Sequence, residues 1–176
     1  MTQRTYASPI GILHLTAHAG RLMGLRIAGP QESSEPRQAP PMSDGNEPTQ
    51  LVLDVAMRQL DAYFAGRLKQ FDLPLAMQGT EFQLRVWSQL ARIPSGKTVT
   101  DRQLTWAVTG RPTATLATIQ AVADANAANP LAIIVPSHRV IDESGSVCGL
   151  ADSDATYKRL LHLERAGVPR IVAAVG

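Results

Sequence analysis

The sequence has one cysteine, little net charge and no long apolar segment, and these shortages exclude several classes of protein. Because Cys148 is the only cysteine, the chain can form neither an internal disulfide nor a zinc site built from several cysteines. No run approaches the roughly 18 apolar residues of a membrane span, and the polar start Met1–Arg4 contains no apolar signal core. We therefore expect a soluble, cytoplasmic protein that makes no membrane contact.

Charge says little about the binding partner of this chain. The net charge is +2 and the sequence pI is about 9.0, which permits binding to nucleic acid without requiring it. Residues 79–176 contain ten Lys or Arg residues against eight Asp or Glu residues, so the small positive excess lies in the second half. A length of 176 residues suffices for one domain or two small ones, each with an apolar core.

The first 78 residues have the pattern of a small α/β domain. Loose alternation over residues 5–27, interrupted by Ser8-Pro9 and Gly20, predicts two or three antiparallel strands. Apolar residues at helical spacing predict an amphipathic helix over residues 51–67.

Between and after these elements, proline marks the irregular segments of the first domain. Residues 30–50 are polar and proline-rich, which indicates a surface loop. Residues 71–75 are predicted to be an edge strand because they contain a proline. The boundary between the two domains is predicted at Gln78-Gly79, giving domains of residues 1–78 and 79–176.

The second section opens with two short helices that carry the same start signal. Thr80 and Thr100 are each followed three residues later by glutamine, which is the pattern of a capping box. Gly110 is predicted to end the second helix, and residues 112–128 are predicted to form another. Short helix, glycine turn and second helix together give the outline of a helix-turn-helix. A final helix is expected over residues 154–166.

The apolar run Leu131–Val135 is predicted to be a short, fully buried strand. Pro136 ends it, because proline has no N–H group for a strand ladder. The hydroxyl, imidazole and guanidinium groups of Ser137, His138 and Arg139 follow at once. Groups placed at the mouth of a rigid element are held more firmly than groups on a free loop, so this arrangement favours a pocket.

In this order and spacing, the second section resembles the O6-alkylguanine-DNA alkyltransferase family, and the first 78 residues resemble that family's smaller N-terminal domain. The matching segments are Phe82-Gln83, Val86-Trp87, Ile93-Pro94-Ser95-Gly96, Gly110-Arg111-Pro112, Asn129-Pro130, Pro136-Ser137-His138-Arg139-Val140-Ile141 and Lys158-Arg159-Leu160-Leu161 with Glu164. The resemblance implies an α/β N-terminal domain (a small antiparallel sheet plus a helix). It implies a mostly α C-terminal domain with a helix-turn-helix and a short buried strand.

The resemblance also implies the chemistry of the site, and the sequence differs from the family motif at one position of that site. In the family a Pro-Cys-His-Arg motif supplies a cysteine that accepts the alkyl group from a flipped-out guanine once, without a cofactor or a metal. Position 137 is serine here. Displacement at an alkyl carbon favours a soft anion, and a thiol with a pKa near 8.5 is partly ionised at neutral pH, whereas an aliphatic hydroxyl is not. His138 and Glu164 match the family's activating histidine and acid.

The resemblance assigns the remaining site positions by residue. The lesion pocket is expected to comprise Asn129, Pro136, Arg139, Leu150, Ala151 and Lys158 beside the catalytic positions Ser137, His138 and Glu164. The DNA-binding positions are expected to be Thr100, Asp101, Arg102, Arg111, Gln120 and Ala121.

Several of these positions differ from the family pattern in ways that weaken DNA binding. Asp101 occupies the place of a tyrosine that helps rotate the nucleotide, and a carboxylate there opposes the DNA phosphates. Gln120 occupies the place of the arginine that fills the gap left by the flipped base, so it brings no charge to the minor groove. Asp124 adds further repulsion on the same helix. Leu150 and Ala151 remove a tyrosine and a serine from the pocket.

Three hypotheses follow from this pattern. The first is a non-enzymatic protein, similar to the alkyltransferase-like proteins, that binds O6-alkylguanine in double-stranded DNA as a monomer and passes the lesion to nucleotide-excision-repair proteins. The second is a true alkyltransferase that carries a Cys-to-Ser change at Ser137. The third is a diverged member that binds another ligand or a protein partner.

Structural interpretations stand beside the functional ones for individual residues. A structural histidine is the alternative for His138, and Trp87 and Trp106 are expected to be core aromatic residues. Cys148 is interpreted as an incidental thiol, because nothing near it in the sequence argues for a lowered pKa.

Overall fold

The computed structural model describes residues 1–28, 47–147 and 154–166, and it begins with a three-stranded antiparallel sheet. The strands are β1 (Thr2–Ser8), β2 (Gly11–His18) and β3 (Arg21–Ile27), with β2 in the centre. Alternate residues of β2, Leu13, Leu15 and Ala17, are fully buried, as expected for a sheet with one covered face. The predicted antiparallel strands are therefore confirmed.

Helix α1 (Glu47–Phe64) covers that face of the sheet and begins earlier than predicted. Residues 47–50, which the sequence placed in the polar loop, form its first turn. Pro48 is tolerated there because the first N–H groups of a helix have no partner within the helix. The rest of the predicted loop, residues 30–46, lies outside the described residues.

The predicted edge strand at residues 71–75 is reduced to a single parallel bridge between Leu75 and Leu22. Leu22 donates its N–H to the carbonyl of Pro74 at 2.8 Å, and Ala76 donates to the carbonyl of Leu22 at 2.9 Å. Pro74 has no N–H group, so the segment cannot extend the ladder as a regular strand does.

The described part of the second half contains four α-helices: α2 (Glu81–Leu90), α3 (Asp101–Thr109), α4 (Leu116–Ala127) and α5 (Asp154–Ala166). Both predicted capping boxes are present, at Thr80 and at Thr100. Gly110 ends α3 in the left-handed conformation, with a φ of 70° that favours glycine. Helices α3 and α4 pack against each other and against α2, which confirms the helix-turn-helix outline.

The segment Leu131–Val135 is a series of tight turns, so its prediction as a strand was wrong. Val135 donates its N–H to the carbonyl of Leu131 at 2.9 Å, and Ile133 has a φ of 72°. Prolines at both ends remove ladder donors, and only Leu131 bridges a strand, at Leu25 of β3. The burial was predicted correctly for alternate residues, because Leu131, Ile133 and Val135 are all buried.

The short strand pair of this half is formed by one segment before and one segment after the turns of Leu131–Val135 in the sequence. Strand β4 (Val99–Thr100) pairs in parallel with β5 (Val140–Ile141), which follows the Ser137-His138-Arg139 segment directly. Among the described residues, no helix combines the length and the apolar character needed to cross a membrane.

The two tryptophans differ in environment, so the prediction that both are core residues is wrong for one of them. Trp87 lies on α2 and is buried. Its indole Nε1–H donates to the carbonyl of Ala125 on α4 at 2.8 Å. Trp106 leaves 55% of its surface exposed on α3. Leu104 and Thr105 are the buried residues of α3, and the position after them turns outward.

This difference predicts unequal costs for the same substitution at the two sites. Trp87→Phe is expected to lower the free energy of unfolding by about 2–3 kcal/mol, because it leaves a cavity and an unpaired buried carbonyl. The matched variant Trp106→Phe is expected to change it by less than about 0.5 kcal/mol. Urea denaturation of both variants measures these values, and equal costs would contradict the placement of Trp87.

Candidate functional site

The Pro136–Arg139 segment is a buried single turn between the preceding turns and β5. Ser137, His138 and Arg139 form one turn of 3-10 helix, in which Arg139 donates its N–H to the carbonyl of Pro136 at 3.1 Å. All three side chains are buried, and Ser137 exposes only 3% of its surface. The turn therefore delivers a hydroxyl, an imidazole and a guanidinium into the protein interior.

The Ser137 hydroxyl is held by two asparagines. Its Oγ donates to the backbone carbonyl of Asn126 at 3.2 Å and accepts from the side-chain Nδ2 of Asn129 at 2.8 Å. The same amide donates to the carbonyl of Val135 at 2.7 Å, while Asn129 Oδ1 accepts from the N–H of Leu131 at 3.0 Å. Asn129 therefore fixes both the preceding turns and residue 137, and its place in a lesion pocket stays a prediction.

Glu164 is the centre of a separate cluster that joins four segments of the chain. Its Oε1 lies 2.8 Å from His138 Nε2 and 2.8 Å from Arg139 Nη2. Its Oε2 accepts from Arg139 Nε at 3.0 Å and from the backbone N–H of Gly96 at 2.8 Å. The phenol of Tyr63, on α1, donates to Oε1 at 2.8 Å. The carboxylate is thus surrounded by donors.

These contacts determine the ionisation of the pair. Burial alone would raise the pKa of Glu164, but the hydrogen bonds from His138 and Arg139 and the backbone N–H of Gly96 hold it far below its usual range. Burial lowers the pKa of His138 below 6.5, and the nearby Arg139 charge adds to this, against the opposing effect of Glu164. An ionised Glu164 and a neutral His138 follow, with the imidazole Nε2–H donating to Oε1.

The structure brings His138 and Glu164 together, but it joins Ser137 to neither of them. Within the ranges 1–28, 47–147 and 154–166, no hydrogen bond links Ser137 to His138, and the buried Nδ1 of His138 has no hydrogen-bond partner. Arg139 binds Glu164 and also donates through Nη1 to the carbonyl of Ile93, so its guanidinium ties the turn to neighbouring segments.

The other predicted pocket residues occupy different surroundings. Pro136 is buried in the turn, and Lys158 is exposed on α5. Lys158 lines an open cleft of about 380 Å³ together with Ile141, Gly145, Leu161, His162 and Arg165. Leu150 and Ala151 lie outside the described residues, as does Cys148. No group of three or more His, Cys, Asp or Glu side chains in the described part of the chain is arranged to hold a metal ion.

The predicted DNA-binding residues lie on the helix-turn-helix, and several pair with acidic side chains. Thr100 caps α3, and Arg102 Nε lies 2.9 Å from Glu143 Oε1 in an exposed ion pair. Gln120 Nε2 donates to Asp124 Oδ1 at 2.9 Å along α4. The remaining members of the set are Asp101, which is half-buried, and Arg111 and Ala121, which are exposed.

Sequence reasoning missed Tyr63 and the Gly96 N–H as partners of Glu164. The helical pattern of α1 placed its apolar face at Leu60 and Phe64, although Tyr63 is buried and Phe64 is only half-buried. The available signal was chemical, since a buried tyrosine hydroxyl usually finds a hydrogen-bond partner. Nothing in the local sequence identifies that partner, which lies 101 residues away.

The ionisation of this cluster predicts that stability falls in acid. The unfolded chain takes up a proton at a histidine near pH 6.5 and at a glutamate near pH 4.5, whereas folded His138 and Glu164 resist protonation there. The unfolded state therefore binds more protons, and the free energy of unfolding decreases as pH is lowered from 7, by up to roughly 1.4 kcal/mol per pH unit for each proton.

Urea denaturation of the wild type and of His138→Asn across pH 7 to 3 measures this dependence. The variant is expected to lose the part of the slope between pH 7 and 5 and to keep the part below pH 4.5. A wild-type curve that is flat between pH 7 and 5 would contradict a buried, neutral His138.

Comparison with known proteins covers both halves of the chain. The sequence model described as "6-O-methylguanine DNA methyltransferase, ribonuclease-like domain" matches residues 1–77, and the one described as "6-O-methylguanine DNA methyltransferase, DNA binding domain" matches residues 81–166. A methylated-DNA–protein-cysteine methyltransferase of Mycobacterium tuberculosis is 39% identical over 166 residues, which is 94% of this chain and 93% of that protein. The protein of the same name from Methanosarcina acetivorans is 41% identical over 159 residues, covering 90% and 95%.

Solved structures agree with the sequence matches. The O6-methylguanine methyltransferase of Mycobacterium tuberculosis superimposes with a TM-score of 0.74 at 36% identity, covering 96% of this chain and 95% of that one. A structure of the Mycobacterium tuberculosis protein in complex with DNA gives 0.76 at 37% identity, covering 97% and 96%. The shared sheet, helix-turn-helix and short parallel strand pair, together with these identities, place the chain in the 6-O-methylguanine DNA methyltransferase family, also called the O6-alkylguanine-DNA alkyltransferases.

Proposed function

We propose that this chain binds O6-alkylguanine-type lesions in double-stranded DNA without accepting the alkyl group. The observation that carries the proposal is a serine at the family's acceptor position, buried and hydrogen-bonded to Asn126 and Asn129. In this proposal the chain acts as a monomer that marks the lesion, and nucleotide-excision-repair proteins remove it.

The chemistry of residue 137 supports inactivity in transfer. Alkyl transfer would form a bond from residue 137 to the alkyl carbon while the carbon–O6 bond breaks and guanine leaves with the electron pair. An aliphatic hydroxyl needs a base to become a useful nucleophile. The Ser137 Oγ–H donates a hydrogen bond to the neutral carbonyl of Asn126, and within residues 1–28, 47–147 and 154–166 no hydrogen bond links it to a basic side chain. The hydroxyl therefore stays protonated.

Binding to DNA is supported by the helix-turn-helix and by the relatives. Residues 81–166 match the family's DNA-binding domain, and the related protein of Mycobacterium tuberculosis has been solved with DNA. The contribution of α4 to affinity is expected to be small, because its sequence contains no Lys or Arg and its Gln120 pairs with Asp124. Extruding a base costs a few kcal/mol, so selectivity requires contacts to the flipped base.

Specific observations also favour the two alternatives. Asn129 Nδ2 donates to residue 137 and would stabilise a thiolate there, which fits a true alkyltransferase that carries a Cys-to-Ser change. The exposed Trp106 on α3 and the exposed Leu116 at the start of α4, a helix that contains no Lys or Arg, fit a diverged member that binds a protein partner. Binding to duplexes with and without O6-methylguanine separates these cases, since a diverged member shows no preference for the lesion.

Restoring sulfur at residue 137 tests the proposal directly. Ser137→Cys is expected to take up one methyl group per protein from an O6-methylguanine duplex, whereas the wild type takes up none, because the rest of the buried turn is retained. Intact-protein mass spectrometry measures the added methyl group.

Cys148→Ser, in the wild type and in the Ser137→Cys variant, serves as the control for the other thiol. Uptake by Ser137→Cys is expected to be unchanged by it. A methylated wild-type protein would overturn the inactive assignment, and the modified residue would identify the acceptor.

The charge of α4 predicts a gain of DNA affinity from one substitution. Gln120→Arg is expected to tighten duplex binding at low salt and to steepen the plot of log affinity against log salt by roughly 0.9, because one more counterion is released. Gln70→Arg adds the same charge in the N-terminal domain and is expected to leave the slope unchanged. Fluorescence anisotropy over a salt series measures both, and equal slopes for the two variants would argue against α4 as a DNA-contacting helix.

A further inference from the structure

The last turn of α1 reaches across the domain boundary into the site. Tyr63 is 2% exposed and Glu164 is 6% exposed, and their side chains meet with the phenol oxygen 2.8 Å from Oε1. The same oxygen lies 2.8 Å from His138 Nε2 and 2.8 Å from Arg139 Nη2. Three residues therefore donate to one carboxylate oxygen, and removing the donor of any one of them strengthens the hydrogen bonds of the other two.

The N-terminal domain holds the Tyr63 ring in place. The centroid of the Tyr63 ring lies 5.3 Å from that of the Phe64 ring at an interplanar angle of 74°. It lies 5.3 Å from that of the Phe71 ring at an angle of 40°. Burial and the adjacent Glu164 raise the pKa of Tyr63 far above its usual range, so the phenol is neutral and acts only as a donor toward the carboxylate. The hydroxyl position is thus set by the aromatic cluster of the first domain.

Little space is left beside the contact between Tyr63 and Glu164. The cavity beside the contact, lined in part by Tyr63, Ser95 and Glu164, has a volume of about 10 Å³. That volume is enough for one water molecule at most. The N-terminal domain also contacts the other flank of the motif, where Leu25 donates to the carbonyl of Pro130 at 2.8 Å and accepts from Ala132 at 3.0 Å.

We propose that Tyr63 is a positioning residue of the site, through which α1 of the N-terminal domain sets the orientation of Glu164 and the strength of its hydrogen bond to His138. Neither residue 137 nor the helix-turn-helix touches this contact in the part of the chain that the structure describes. The effect of Tyr63 on lesion binding rests on the proposed function. The effect of Tyr63 on His138 does not, because it is measured in the protein without DNA.

Tyr63→Phe tests the proposal with the aromatic packing retained. In histidine-labelled protein without DNA, the Nε2–H proton resonance of His138 is expected to move downfield, because Oε1 loses one donor and binds the imidazole more strongly. Tyr6→Phe is the matched control, since Tyr6 also donates to a carboxylate, Asp61 Oδ1 at 2.7 Å, but makes no contact with Glu164. An unmoved His138 resonance in folded Tyr63→Phe overturns the proposal.

A second substitution covers the case in which Tyr63→Phe does not fold. Site-specific 3-fluorotyrosine at position 63 makes the phenol a stronger donor, so the same His138 resonance is expected to move upfield. A resonance that stays unmoved in this protein also overturns the proposal.

Lesion binding gives the functional arm of the test. Tyr63→Phe is expected to weaken binding to an O6-methylguanine duplex about fivefold or more, the usual scale for coupling between sites, and Tyr6→Phe is expected to match the wild type. If the wild type prefers the lesion and Tyr63→Phe binds the O6-methylguanine duplex as tightly as the wild type and Tyr6→Phe do, the positioning role is overturned. Absence of lesion preference in the wild type contradicts the proposed function alone, and the His138 resonance then decides the inference.

Discussion

The buried carboxylate of Glu164 is the interaction on which the site depends. It collects donors from α1, from the Gly96 turn and from the His138-Arg139 turn, while it belongs to α5 itself. A buried charge destabilises the fold unless it is paired and hydrogen-bonded. Removing one partner of Glu164 therefore leaves the buried charge incompletely compensated. The geometry of the motif is therefore a property of four distant segments, and its ion pair makes the fold sensitive to acid.

The alkyl-acceptor position is built by a second, separate set of contacts. Asn129 holds residue 137 and the preceding turns at the same time, so a serine is retained there with full hydrogen bonding. These contacts are separate from those of Glu164, so the family fold can coexist with a serine at position 137 without any change in the Glu164 cluster.

Two residues of the helix-turn-helix surface are paired with acidic side chains. On α4 Gln120 is bonded to Asp124, and on α3 the cation of Arg102 is paired with Glu143. Exposed ion pairs add little stability, so these residues tune the field of the surface rather than the fold.

Local signals in the sequence determined the helix starts at Thr80 and Thr100 and the end of α3 at Gly110, because caps and left-handed turns are completed within a few residues. The family was likewise identified from the sequence alone. Tertiary structure alone decided that Leu131–Val135 bends instead of forming a strand, that Trp106 is exposed, and that Tyr63 binds Glu164. Each of these features depends on contacts with residues that are far away in sequence. A local pattern of residues does not identify such contacts.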